Sequence, residues 1–244
     1  MKALFRAAKQ NRIFEDVVDQ IQEAIIDGRL QAGDRLPAER ELKGVLQTSR
    51  STLREALRVL EQKGLIEIRL GMGGGAIVKT LNEDQVTESL DLLLRSQKVS
   101  LNHLAEFREG VEGDVVAIAA ERASDSDIEL LRSLLDEAAA CVDRGVDHLD
   151  DFLKVDKELH LTFAYITQNP VYISVLKSIH DNINRYYEIY LVMDQPELEE
   201  NLKDLERIVS AVEDRNIPQA RELAQHHVQR FNQYMSRQAL EMEA

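Results

Sequence analysis

Tryptophan is absent from this chain, cysteine occurs once, and only 4 prolines and 11 glycines punctuate its 244 residues. One cysteine excludes an intramolecular disulfide framework. The position of Cys141 in the apolar run EAAACV marks it as a small buried filler rather than a nucleophile. No stretch approaches the roughly 18 uncharged apolar residues that a membrane-spanning helix requires. The opening MKALFRAAKQNRIFEDVV is basic but lacks the continuous apolar segment of a secretory signal. Together these absences predict a cytoplasmic protein without a membrane partner. There is no convincing internal repeat and no low-complexity linker.

What is present points to two modest domains. The 44% hydrophobic and 30% charged residues match a water-soluble globular protein, and a single core of ordinary size serves about 100–200 residues. A net charge of −14 argues against nucleic-acid binding when the chain is taken whole, but the charge is divided unevenly. Residues 1–80 carry 14 Lys and Arg against 11 Asp and Glu, a net of +3, which leaves 16 against 33, a net of −17, in the remainder. One end can approach phosphate while an acidic body repels DNA elsewhere. The expected domains are residues 1–80 and 81–244.

In the first of these, Phe14, Val17, Val18, Ile21, Ala24 and Ile25 recur at three and four, the stripe of an amphipathic helix that Gly28 ends. A turn at Gly33-Asp34 precedes a short helix expected to begin at Pro37, with Glu39 and Glu41 in its first turn. Thr48 and Ser49 cap a third helix with an inner face of Leu53, Ala56, Leu57 and Leu60, stopped by Gly64. LIEIRL and AIVKT then read as two strands around Gly71, Gly73, Gly74 and Gly75. Beyond Thr80 helical periodicity governs segments near 83–96, 101–122, 125–143, 149–167, 170–193, 197–214 and 218–240. The fold class is therefore mostly α, a winged helix-turn-helix followed by an all-α helical bundle domain.

Three helices and a hairpin are the parts of a winged helix-turn-helix, in which the third helix enters the major groove. Ser49, Arg50, Thr52 and Arg54 lie at or near its start, where N–H groups and guanidinium forks hold phosphates or read guanine edges. Arg40 is placed to meet the flanking backbone, and wing glycines permit close approach to DNA. Read alone, Arg50 and Arg54 at i, i+4 would be an ordinary solvated face. The ordered segments LPAEREL, SRSTLREAL, LEQKGLI and the glycine-rich wing change that balance, because residues 14–79 resemble the DNA-binding domain of the GntR family. The resemblance implies DNA contacts by Arg40, Arg50, Arg54, Gly73 and Gly74. Lys43, Gln47 and Thr48 depart from the family's usual alanine, turn glycine and valine.

Residues 85–235 resemble the FCD-type effector domain of the FadR-like GntR branch, opening with LAEFREGVEGDVVAIAAERA. Arg108 on that helix can hold an effector carboxylate bidentately; the alternative is a surface salt bridge to Glu112 at i+4. The resemblance further implies a divalent metal such as zinc, nickel or manganese held by one aspartate and three histidines. Asp156 and His160, at i, i+4 on one helix face, match that pattern, and His227 matches its last histidine, with His226 facing away. The remaining histidine falls at Leu205, so one ligand is missing. His180, in the inward stripe Leu176, Ile179 and Ile183, is a candidate replacement or an effector contact; a hydrogen-bonded core histidine is the plainer alternative.

These features predict a non-enzymatic, homodimeric transcription regulator that binds double-stranded operator DNA and responds to a small organic acid. A metal-dependent hydrolase using Asp156, His160 and His227 is one rival, disfavoured because no general base accompanies the metal pattern. An effector-independent DNA-binding protein is the other.

Overall fold

The computed structural model describes residues 12–71, 74–79, 93 and 99–243, with the side chains of 12, 184–185, 188–190 and 238–243 left out. The chain divides into two compact units, residues 1–85 and 86–244. The helix expected near 83–96 lies, Leu93 apart, outside the described residues, as does the expected domain junction at 80.

The first unit contains α1 (Arg12–Ile26), α2 (Glu39–Val45), α3 (Arg50–Gln62), β1 (Ile66–Arg69) and β2 (Gly75–Val78). The α1 stripe buries Val17, Val18, Ile21 and Ile25 in one core with Leu53, Ala56, Leu57 and Leu60 of α3. Leu53 and Leu60 have no exposed surface, and burying each is worth about 1.5–3 kcal/mol. β1 and β2 pair antiparallel with Ile66 opposite Val78, and Arg35 bridges to Ile77 from a third segment. That segment explains a shifted boundary. Leu36 donates its N–H to the Ala76 carbonyl, so Pro37 and Ala38 are spent leaving the sheet and α2 starts at Glu39. Ala38, not the residue before Pro37, is the N-cap, and it offers no side-chain cap.

Helix α3 is capped by Ser49 alone. Its hydroxyl accepts from Thr52 N–H at 3.0 Å, while Thr48 is buried and its Oγ1 has no hydrogen-bond partner. The preceding Gln47 has φ 47°, in the left-handed region where glycine is favoured. A side chain at Gly74 would collide with the Arg69 carbonyl oxygen, so the wing turn itself requires glycine there, independently of any approach to DNA.

The second unit is built from α4 (Leu101–Arg122), α5 (Asp125–Asp143), a 3-10 turn (Val146–His148), α6 (Leu149–Ile166), α7 (Pro170–Tyr190), α8 (Gln195–Glu213) and α9 (Ile217–Glu243). Ser100 and Ser124 open α4 and α5 with reciprocal capping boxes, and Asp194 does the same for α8. Pro170 and Pro196 sit in the first turns of α7 and α8, where a missing N–H forfeits no helical hydrogen bond. α4 is the central helix. It packs along α9 and also meets α6, α7 and α8, burying Leu104, Val115, Val116, Ala119 and Ala120. Cys141 is a buried free thiol of the same core. Among the described residues no helix is long and apolar enough to cross a membrane.

Candidate functional site

Two groups of side chains stand out, one in each unit. On the first, Arg50 and Arg54 project from the start of α3 with side chains 71% and 56% exposed. Both reach one acceptor, Glu39 of α2: Arg54 Nε donates to its Oε1 and Oε2 at 3.2 and 3.1 Å, and Arg50 Nε to Oε2 at 3.5 Å. Ser49 Oγ lies 2.8 Å from Ser51 Oγ and 2.7 Å from Thr52 Oγ1, a hydroxyl cluster at the helix start. Arg40 is exposed on α2, and Gly73 falls outside the described residues. Sequence reasoning saw Glu39 only as a first-turn acid. Separations of 11 and 15 residues across a turn carry no periodic signal, so its clamp on both arginines was not visible there.

The second group is a polar centre inside the helical unit. α4 supplies Arg108 and Glu112, α6 supplies Asp156 and His160, α7 supplies His180 and Tyr187, and α9 supplies His227; all are buried. Arg108 Nε donates to Glu112 Oε1 at 2.5 Å, and its Nη1 lies 3.5 Å from the Tyr187 hydroxyl. The ion pair weighed from the sequence therefore exists, but in the core rather than on the surface, because α6, α7 and α9 pack over α4. His160 stands in the middle. Its Nδ1 is 2.5 Å from Glu112 Oε2, while its Nε2 is 3.8 Å from Asp156 Oδ1 and 3.3 Å from His227 Nε2. His227 Nε2 is 3.5 Å from the same Asp156 oxygen.

Two sets of donor atoms lie mutually within 4.8 Å, Asp156 with His160 and His227, and Glu112 with His160 and His180. The structure thus brings together the three residues matched to the family's metal pattern. It places His180 on the opposite side of His160, with Nε2 3.5 Å from Glu112 Oε1. Leu205 is buried on α8 and offers no lone pair; His226 is exposed. Glu112 is the residue whose part the sequence did not disclose.

The charges balance within the cluster. Burial raises the carboxyl pKa of Glu112, but Arg108, followed by His160 and His180, holds it well below the usual range. For Asp156 burial is likewise outweighed by His160 and His227, leaving it lowered. Burial works against a charged His160, yet Glu112 and Asp156 raise it above its ordinary value. His180 has less compensation, and burial pushes it down to about 4. Outside this centre, a cavity of about 550 Å³ is lined by Leu149, Leu153, Lys157, Tyr187 and Leu191 among others. Tyr187 belongs to both, touching Arg108 from the cavity wall.

Comparison with known proteins agrees with this division. Residues 13–75 match the family of bacterial regulatory proteins described as the gntR family, and residues 103–230 match the FCD domain. The Glc operon transcriptional activator of Escherichia coli strain K12 is 32% identical over 170 residues, which span 69% of this chain but only 66% of that protein. The HTH-type transcriptional repressor NanR of Klebsiella aerogenes is 27% identical over 235 residues, 91% of this chain and 85% of its own. A GntR protein of Streptococcus agalactiae shares the fold, with a TM-score of 0.66 at 24% identity over 90% of this chain and 99% of that one. The chain belongs to the gntR family of bacterial regulatory proteins, among the members whose second domain is an FCD domain.

Proposed function

We propose that this chain is a transcription regulator that binds double-stranded operator DNA as a homodimer and whose operator affinity is set by a small organic acid held in the helical domain. The observation that carries this reading is the buried centre. Seven ionisable side chains from four helices are gathered into an apolar core, an arrangement that stability alone does not favour. The adjoining cavity has the size of a small-molecule site, and Tyr187 joins it to the Arg108 guanidinium. Arg50, Arg54, Ser49 and Thr52 supply the complementary surface for DNA, with Arg40 and the wing beside them. Relatives are named both as an activator and as a repressor.

The centre also fits a divalent cation. Asp156 Oδ1 is buried without an aligned hydrogen bond, and two imidazole Nε2 atoms converge on it. Nitrogen and oxygen donors of this kind suit zinc, nickel or manganese. Asp156, His160 and His227 would hold the ion, with Leu205 leaving a position open to water or an effector carboxylate. Bound there, the cation would supply fixed positive charge for an anionic ligand. A hydrolase is not favoured, because the family and its relatives are regulators.

A thermal-shift screen of small carboxylates, run with chelator and with added zinc, nickel or manganese, tests the effector half. A carboxylate that both raises the melting temperature and alters salt-sensitive retention of operator DNA is the expected result. Retention of operator with no response to any carboxylate, in either metal condition, would instead favour the effector-independent binder.

A further inference from the structure

We infer that Glu112, His160 and His180 form a second cation site in the helical domain, at the side of His160 away from Asp156 and His227, with donors suited to zinc or nickel. It shares only His160 with the group already described and does not require that group to hold an ion.

Three helices converge there. α4 brings Glu112, α6 brings His160 and α7 brings His180, and one donor atom of each lies within 4.8 Å of the other two. His160 Nδ1 is 2.5 Å from Glu112 Oε2, and His180 Nε2 is 3.5 Å from Glu112 Oε1. The two imidazole rings stand 4.8 Å apart between centroids, tilted by 30°. None of the three side chains is more than 3% exposed. Proximity alone would describe any packed polar core, but two atoms of this group are left over. Among the described residues, neither Glu112 Oε2 nor His180 Nε2 has an aligned hydrogen bond, the close approach of His160 Nδ1 included. Unpaired polar atoms are costly in a core, and two from different helices in one place point to a partner common to both.

The donor set says which partner. Two imidazole nitrogens and one carboxylate oxygen suit zinc or nickel, whereas magnesium and calcium prefer oxygen alone. Three protein donors also leave a tetrahedral ion one position for water or a ligand. Arg108 does not occupy the group, because its Nε contacts the other carboxylate oxygen, Oε1, at 2.5 Å and leaves Oε2 unpaired. Its positive charge does oppose a cation, so affinity should be lower than for the same donors without a guanidinium beside them. From the sequence, His180 is a candidate substitute for the ligand missing at Leu205. The structure gives it a different place, opposite Glu112 on α4 rather than beside His227 on α9.

The test uses the full chain and locates the ion directly. Crystals of chelator-stripped protein equilibrated with zinc are measured on both sides of the zinc absorption edge, and the anomalous difference map shows where the metal lies. A peak bonded to His180 Nε2 and Glu112 Oε2 is the expected result. If that peak appears alone, the inference holds and the Asp156, His160 and His227 reading fails. A peak only among Asp156, His160 and His227 overturns the inference and leaves that reading intact. No peak at either place overturns both and assigns the two unpaired atoms to water. In solution, Asp156→Asn/His227→Gln should still retain zinc in competition with a chelator. Adding His180→Leu should then lower affinity by more than about tenfold, since losing even an orienting partner of a ligand costs about 10–100-fold. Equal affinity with and without His180→Leu overturns the inference. Circular dichroism checks that these variants fold, and where they do not, the map of the unaltered chain decides.

Discussion

At the scale of single residues, two positions where this chain departs from its family resemblance have physical consequences. Gln47 takes φ 47° in the turn between α2 and α3, at the place where a glycine is customary. A left-handed conformation costs a residue with a Cβ roughly 1–2 kcal/mol, partly offset because glycine loses about 0.5–1 kcal/mol more backbone entropy on folding. Gln47→Gly should therefore stabilise the DNA-binding unit by about 0.5–1 kcal/mol, read as a higher urea midpoint for that unit's transition. An unchanged or lower midpoint would show that the turn is not strained. Leu205 is the other position. Leu205→His should tighten zinc binding in competition with a chelator, because it restores nitrogen donor chemistry to a site left with Asp156, His160 and His227. The exchange places a polar ring at a fully buried position and should lower metal-free stability by about 1–3 kcal/mol. Unchanged zinc affinity in Leu205→His would show that position 205 does not face the group formed by Asp156, His160 and His227.

At the scale of elements, α2 and α3 are joined on their exposed side by Glu39, which holds Arg50 and Arg54 before any phosphate does. Exposed pairs of this kind contribute about 0–1 kcal/mol, so releasing them opposes DNA binding only slightly. Arg50→Ala and Arg54→Ala should each weaken operator binding, by about 1–3 kcal/mol where the arginine reads a base, with folding little altered. Where it meets phosphate, the dependence of affinity on salt should fall by about one unit of slope. Unchanged affinity and slope in both variants would remove α3 as the reading element. Glu39→Gln should act oppositely and raise affinity modestly at low salt.

The helices themselves were legible because local chemistry marks their ends. α4 and α5 occupy 101–122 and 125–143 as expected, each opened by a serine capping box. Pro37 misled because a sheet contact at Leu36, invisible to local rules, delays α2. The site was legible in the same measure. Asp156 and His160 are one turn apart and announce a shared face, and His227 followed from the family resemblance. Glu112 looked like half of a surface pair, since its burial comes from three helices distant in sequence.

At the scale of the whole molecule, charge and symmetry constrain how so acidic a chain can hold DNA. The net of −14 is concentrated beyond residue 80, where the balance is −17, leaving +3 on residues 1–80, which carry α3. A single small unit of modest positive charge presents one recognition helix and so addresses one half-site; two copies related by a two-fold axis address a pseudo-palindrome and double the phosphate contacts. Pairing is the economical route to specific affinity for a chain that elsewhere repels the duplex. Sedimentation equilibrium at micromolar concentration should accordingly return about twice the chain mass of 27.8 kDa. Operator titrations should saturate at two chains per site, with half-sites about one helical turn, or a multiple of it, apart. A species of single-chain mass that remains single on a saturated operator would defeat the homodimer.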